Sequence, residues 1–150
     1  MNLDFISINI NGTAEVLVTS EMFLDNNYRR NYNSLIREAV ADRFGCYLWI
    51  NKSTSEIIYI GMAGKVKQDG SIGNHSLPQR LVASRGKDGN GRDVLTNDYI
   101  RRYMEDNHIE ELLIKILYTI DSSPPSYVES LLLNQFLSLN NCLPALNYAF

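Results

Sequence analysis

The stretch GCYLWINKSTSEIIYIG, residues 45–61, constrains the fold more than any other part of the chain. Two aromatic-aliphatic runs of strand length flank the polar knot Lys52-Ser53-Thr54-Ser55. Apolar runs of this length around a short polar turn read as a β-hairpin, with strands near 46–51 and 56–61. Strict alternation then puts Cys46, Leu48, Ile50, Ile58 and Ile60 on one face, and Tyr47, Trp49, Ile57 and Tyr59 on the other. Each end of the hairpin pairs a tyrosine with a glycine, Gly45 near Tyr47 and Tyr59 near Gly61.

Other elements fall around this hairpin. LDFISINI and TAEVLV flank Asn11-Gly12, a dipeptide suited to a type I′ turn because both central residues need positive φ. A second hairpin is therefore expected at the N-terminus, adding strands to the sheet or forming the edge of a homodimer. A polar stretch through Tyr32 precedes a helix opening at Asn33 or Ser34, with Leu35, Ile36, Ala39 and Val40 on one face. Residues 62–75 read as a long glycine-containing loop. Ser76 can cap a short helix with Pro78 in its first turn, turning Leu77 and Leu81 inward and Arg80 outward. RGKDGNGRD (85–93) reads as a polar loop, followed by a helix from Thr96 or Asn97 to about Asn107. EELLIKILYTI (110–120) is the best candidate for a buried strand. Asp121-Ser122-Ser123-Pro124-Pro125 ends it, and Ser123 or Ser126 opens the last helix. This order predicts an α/β (α+β) fold: a small, mainly antiparallel central sheet flanked by helices, with an N-terminal β-hairpin extension.

Composition narrows the class. At 150 residues with 45% hydrophobic and 21% charged, the chain can bury one real core. No apolar run approaches the ~20 residues of a membrane span. MNLDFISINI lacks the marks of a secretory signal, and Cys46 and Cys142 form neither a disulfide framework nor a metal pattern. A cytoplasmic, non-membrane protein is expected. The net charge is −3, but Gly45 to Tyr103 holds nine Lys/Arg against five Asp/Glu. That local +4 suits a phosphate-binding face and equally suits ordinary surface scatter.

GCY on one strand, YIG on the next, an arginine on the following helix, a glutamate early in a C-terminal helix and a final P-x-x-N stand in one order. In that order the chain, over roughly residues 44–150, resembles the GIY-YIG nuclease family. The resemblance divides the chain into an N-terminal hairpin-and-helix extension, 1–43, and a nuclease-like domain, 44–150. It matches Tyr47 and Tyr59 to the family tyrosines and Gly61 to the glycine of the second triplet. Arg80 matches the helix arginine, Glu129 the metal-binding glutamate and Asn147 the late asparagine. It implies hydrolysis of DNA phosphodiesters with one divalent cation, Mg²⁺ or Mn²⁺, at Glu129.

The residue types suit that chemistry. A carboxylate holds a hard cation through oxygen, and an arginine fork grips phosphate oxygens as charge builds. A tyrosine hydroxyl can position the attacking water or accept its proton, although a free phenol near pKa 10 is mostly protonated at neutral pH. Two family features differ here. Met62 follows YIG where many relatives carry lysine, with Lys65 three residues later. Ser84 stands four residues after the arginine where relatives often carry His or Tyr, and His75 precedes it. Lys65 and His75 are accordingly supporting candidates, and Arg85 is a rival to Arg80.

Singly, each residue has an ordinary explanation: strand aromatics, a solvated helix arginine, a turn asparagine. For Glu129 it is a capping box with Ser126. Lys67, Arg85, Lys87 and Arg92 are candidates for DNA-backbone contacts. The alternative function is a nucleic-acid-binding module of the same fold with cleavage weak or lost. An adaptor with no nucleic-acid role is a third.

Overall fold

The computed structural model describes residues 1–149. Its first half runs β1 (Ile10–Thr19), α1 (Tyr28–Ala39), β2 (Gly45–Asn51), β3 (Glu56–Ala63), β4 (Lys65–Val66) and β5 (Ile72–Gly73). Its second half runs α2 (Leu77–Val82), β6 (Ser84–Lys87), β7 (Asp93–Leu95), α3 (Thr96–Asp106), β8 (Glu111–Thr119) and α4 (Pro125–Asn140). The central sheet has four antiparallel strands in the order β1-β8-β2-β3. The expected mixed α/β architecture, a small antiparallel sheet with helices around it, is the one observed. No helix among the described residues is long and apolar enough to cross a membrane.

The aliphatic run ELLIKILYT becomes β8 because an inner strand must offer apolar side chains to both faces. Leu112, Ile114, Ile116 and Tyr118 join Tyr47 and Trp49 of β2 in a core covered by α1, α2 and α3 through Tyr32, Ile36, Leu77, Leu81, Ile100 and Met104. Leu117 joins Cys46, Leu48 and Ile60 on the opposite face, under Val128, Leu132 and Leu133 of α4. Helices therefore lie on both sides of the sheet.

The expected N-terminal hairpin is absent. Asp4–Asn9 forms a 3₁₀-helix and residues 10–19 form one continuous strand. Asn11-Gly12 makes a bulge in that strand: the register steps from Ile10↔Thr119 to Thr13↔Leu117, with Gly12 at φ +99°. The positive φ that suits a tight turn serves a bulge equally well. β8 supplies a long partner for the backbone of β1, and the 3₁₀ turn places Ile6 wholly inside the core under α4. Ile8, its expected strand-mate, is 81% exposed.

Three smaller differences follow from the same competition between local pattern and packing. α1 starts at Tyr28, some five residues before the expected opening, because Tyr32 acts as a core residue four positions before Ile36. In β3 the register jumps so that Trp49 faces Tyr59 while Ile50 faces Ile57. Ile58 is the extra residue, and it joins the core beneath α1–α3 while Ile57 takes the α4 side, the reverse of strict alternation. The loops expected at 62–75 and 85–93 carry two small antiparallel ribbons, β4–β5 and β6–β7.

The N-terminal segment is built into the sheet. Val16 and Val18 are 1% and 0% exposed in the same cluster as Tyr47 and Trp49. Burying an aliphatic side chain contributes roughly 1.5–3 kcal/mol, against a total stability of about 5–15 kcal/mol for a typical domain. Deleting residues 1–19 removes both valines, Ile6 and the β1–β8 ladder. The expected result is loss of the cooperative thermal transition followed by circular dichroism. An unchanged melting profile would show β1 to be dispensable.

Candidate active site

Beside the C-terminal end of β3 a cleft of about 500 Å³ opens between the start of α4, α2 and the β4–β5 ribbon. Tyr59, Lys65, His75, Arg80 and Glu129 line it, with Met62, Ala63, Gly64 and Asn74 between them. The five chemistry-bearing residues come from three stretches of chain: 59–65, 75–80 and the first turns of α4. Ser84, four residues after Arg80, is not among the lining residues. Its Oγ accepts from the Gly86 N–H at 3.2 Å in a local turn.

Arg80 is held by a helix fixed at both ends. The Ser76 N–H donates to Gln79 Oε1 at 3.1 Å, and the Leu77 N–H donates to the Arg43 carbonyl at 2.8 Å. At the other end Thr96 donates its N–H and hydroxyl to the Ala83 carbonyl at 3.0 and 2.7 Å. The buried Tyr32 hydroxyl donates to the Leu81 carbonyl at 2.8 Å, tying α1 to the turn that carries Arg80. Leu77, Pro78 and Leu81 face the core while Arg80 is exposed, as expected for this helix.

Glu129 reaches the cleft from the first turns of α4. That helix begins at Pro125 with Pro124 before it, so Ser126 lies inside the helix rather than at its cap. The Ser126 carbonyl accepts from the Ser130 hydroxyl at 2.9 Å, and the capping-box reading of Glu129 fails. The Cys46 thiol donates to the Pro125 carbonyl at 3.3 Å and pins the start of α4 to β2. Burial pushes the Cys46 thiol up, and the Glu129 charge adds to it. Burial likewise raises the Glu129 carboxyl above its ordinary value, with Arg80 opposing. A carboxylate in that state is short of positive partners.

The two tyrosines differ in access. Tyr59 is half-buried and lines the cleft, whereas Tyr47 is 1% exposed. Their ring centroids lie 5.9 Å apart. Burial raises the Tyr47 hydroxyl well above the usual phenol range and Tyr59 adds to this, while Arg85 and Arg80 pull it back. It therefore stays protonated at neutral pH, with Arg80 in hydrogen-bonding reach. Arginine is donor-only, so a bond in this pair would run from the guanidinium to the Tyr47 oxygen.

Gly61 makes this arrangement possible. A Cβ there would stand 2.5 Å from Tyr47 Cζ, 2.6 Å from its Oη and 2.8 Å from Tyr59 Cε2. Gly61→Ala is expected to cost about 1–3 kcal/mol, as overpacking does. It should also shift the emission of Trp49, the sole tryptophan, whose ring lies 4.9 Å from that of Tyr59. Thermal melting and fluorescence check both effects. An unchanged melt and spectrum would mean that the tyrosines are free to move aside.

Asn147 lies outside the cleft and shapes it from behind. Its Oδ1 accepts from the Ile60 N–H and its Nδ2 donates to the Ile60 carbonyl, both at 2.9 Å. The Leu146 N–H donates to the Ile58 carbonyl at 2.9 Å. The C-terminal segment thus covers the outer edge of β3 and fixes the backbone between Tyr59 and Gly61.

The four candidate surface cations are placed differently from one another. Arg85 is half-buried, with its guanidinium 4.8, 4.5 and 4.9 Å from the ring centroids of Trp49, Tyr59 and Tyr99. That aromatic cage is not legible locally, because its members lie far apart in sequence, and it removes Arg85 from the set of freely exposed contacts. Lys87 pairs with Asp93 at 2.9 Å, and Lys67 packs over Gly73. Arg92 is exposed beside Asp88, whose carboxylate accepts its N–H at 3.0 Å. Asn74, in the left-handed region at φ 67°, is a cleft residue that nothing in the sequence singles out.

Comparison of the chain with family models, with curated proteins and with solved structures gives no match.

Proposed function

We propose that the protein is a metal-dependent DNA endonuclease of GIY-YIG type that hydrolyses phosphodiester bonds in this cleft. One observation carries the reading: Glu129, some fifty residues beyond the others, meets Tyr59, Lys65, His75 and Arg80 in the lining of a single cavity. Three potential cations face one carboxylate there, a balance suited to an anionic substrate.

Glu129 fits a hard divalent cation. Mg²⁺ is commonly held by one or two carboxylates plus substrate phosphates, so a single acid is sufficient. The raised carboxyl of Glu129 adds a second argument, since a cation would relieve the charge that burial disfavours. Bound there, Mg²⁺ or Mn²⁺ would supply neutralisation of the charge building on the leaving oxygen.

The chain's own residues do the rest. Arg80 grips the nonbridging phosphate oxygens through its planar fork, carried on a helix tied to Arg43, Thr96 and Tyr32. Tyr59, with its side chain at the cleft, orients the attacking water. Lys65 supplies the positive charge that Met62 does not. His75, in the same lining, takes the role of a proton carrier to and from the reacting oxygens. Met62, an apolar lining residue, is the feature that favours the alternative of a binding module with weak or lost cleavage.

Incubating purified protein with supercoiled plasmid separates the two readings. The nuclease reading expects nicked circles with Mg²⁺ and none with chelator. DNA binding without nicking under both conditions would leave the binding module standing.

A further inference from the structure

The basic middle of the chain feeds two cavities. Lys65 and Arg80 line the cleft. Arg85, Lys87 and Arg102 line a second cavity of about 450 Å³, together with Tyr99, Tyr103 and Tyr148. Its size falls in the ~300–1,000 Å³ range of small-ligand sites. Asp106 is the opposing acid in its lining, so the cations outnumber it even with Lys87 paired to Asp93. Arg85 links the two cavities physically, its guanidinium stacked both on Tyr59 of the cleft and on Tyr99 of the second cavity. Tyr148 stands at the rim 88% exposed, in the same lining as Tyr99.

We propose that this second cavity binds an unpaired nucleotide of the strand whose phosphate occupies the cleft, the base stacking on the tyrosines and the phosphate meeting Arg102 and Lys87. Interleaved aromatic and cationic side chains are what single strands require: every base has a π face, and every linkage has a charge. A fully paired duplex keeps its base faces inside the stack and offers no group that fills a tyrosine-lined cavity. The substrate class is therefore DNA with a single-stranded segment or displaced base beside the cut, in preference to uniform duplex. This rests on the nuclease reading of the cleft and adds the form of the substrate to it.

The test measures binding in chelator, where no cutting occurs, of one fluorescent oligonucleotide presented in two ways. In one it is fully paired; in the other a few nucleotides are left unpaired at a gap. Wild type is expected to bind the gapped form more tightly. Tyr148→Ala, at a solvent-exposed side chain, and Arg102→Ala should each cut that preference on the order of 10-fold, the scale of losing one base stack or one phosphate contact. Tyr148→Phe should retain it, because the ring face is kept. Equal affinity of wild type for both forms, or variants that weaken both forms alike, would overturn the inference. Plasmid nicking with Mg²⁺ in parallel distinguishes the failures. Nicking without any preference for unpaired DNA sinks the substrate inference alone, whereas neither binding nor nicking sinks the nuclease reading with it.

Discussion

Arg80→Ala is expected to leave a folded protein that nicks plasmid DNA about 100- to 1,000-fold more slowly, the cost of losing a preorganised group that meets transition-state charge. Folding survives because the core contacts of α2 come from Leu77, Pro78 and Leu81, while Arg80 is exposed. The helix also keeps its ties to Arg43, Thr96 and Tyr32, none of which uses the Arg80 side chain. Arg80→Lys preserves the charge and loses the fork, so it should recover only part of the rate. On the proposed function the loss should fall mainly on the maximal rate, since Lys65 and the cations of the second cavity would still hold the DNA. Single-turnover nicking with a parallel melt measures this. Near-wild-type nicking by Arg80→Ala would remove Arg80 from the mechanism and return Arg85 as the candidate.

How far the fold can be read from the sequence depends on how local each signal is. The 45–61 hairpin, the aliphatic strand at 110–120 and the helix from Thr96 are encoded by patterns within a few residues, and each forms near its expected bounds. Arg80 reads correctly as an exposed helix residue because Ser76 as cap and Pro78 in the first turn spell out a helix start. The failures share a cause. Asn11-Gly12 allows positive φ in a turn or a bulge, and the choice lies with β8, about a hundred residues away. The extra residue in β3 inverts Ile57 and Ile58 through packing, which no alternation rule anticipates. Tyr32 sits in a polar stretch of sequence, yet its ring fills the core and its hydroxyl reaches Leu81.

The same distinction holds for the candidate site. Residue types and order point to Tyr47, Tyr59, Arg80 and Glu129 through resemblance rather than through any local rule. The different access of the two tyrosines, the steric demand on Gly61 and the clamp of Asn147 on Ile60 are relations between distant segments. They become visible only with the chain folded. Arg85 is the clearest case: in sequence it is one more cation in a glycine-rich stretch, and in the structure three aromatic rings surround it.

Glu129→Gln probes whether this cleft is a divalent-metal phosphodiesterase site. Since the capping role is excluded, the substitution should not disturb α4. With the charge gone from a position where burial disfavours it, the metal-free variant should melt at the same temperature as wild type or slightly higher. Ligand binding to the folded state raises its stability, so Mg²⁺ should raise the melting temperature of wild type and leave the variant unmoved. Protonation competes with the cation for the carboxylate. The Mg²⁺ requirement of wild type should therefore climb as pH falls toward the Glu129 pKa, which lies above the usual carboxylate range.

The direct measurement is plasmid nicking against Mg²⁺ concentration for wild type and Glu129→Gln, with melts run on the same samples. Metal ions supply several kcal/mol of transition-state stabilisation, so the variant is expected to nick on the order of 1,000-fold more slowly while remaining folded. It should still bind DNA, and its melting temperature should no longer respond to Mg²⁺. A variant that nicks at the wild-type rate with the same Mg²⁺ midpoint would contradict the metal-site assignment, because the cleft would then have lost its only carboxylate among the described residues without consequence.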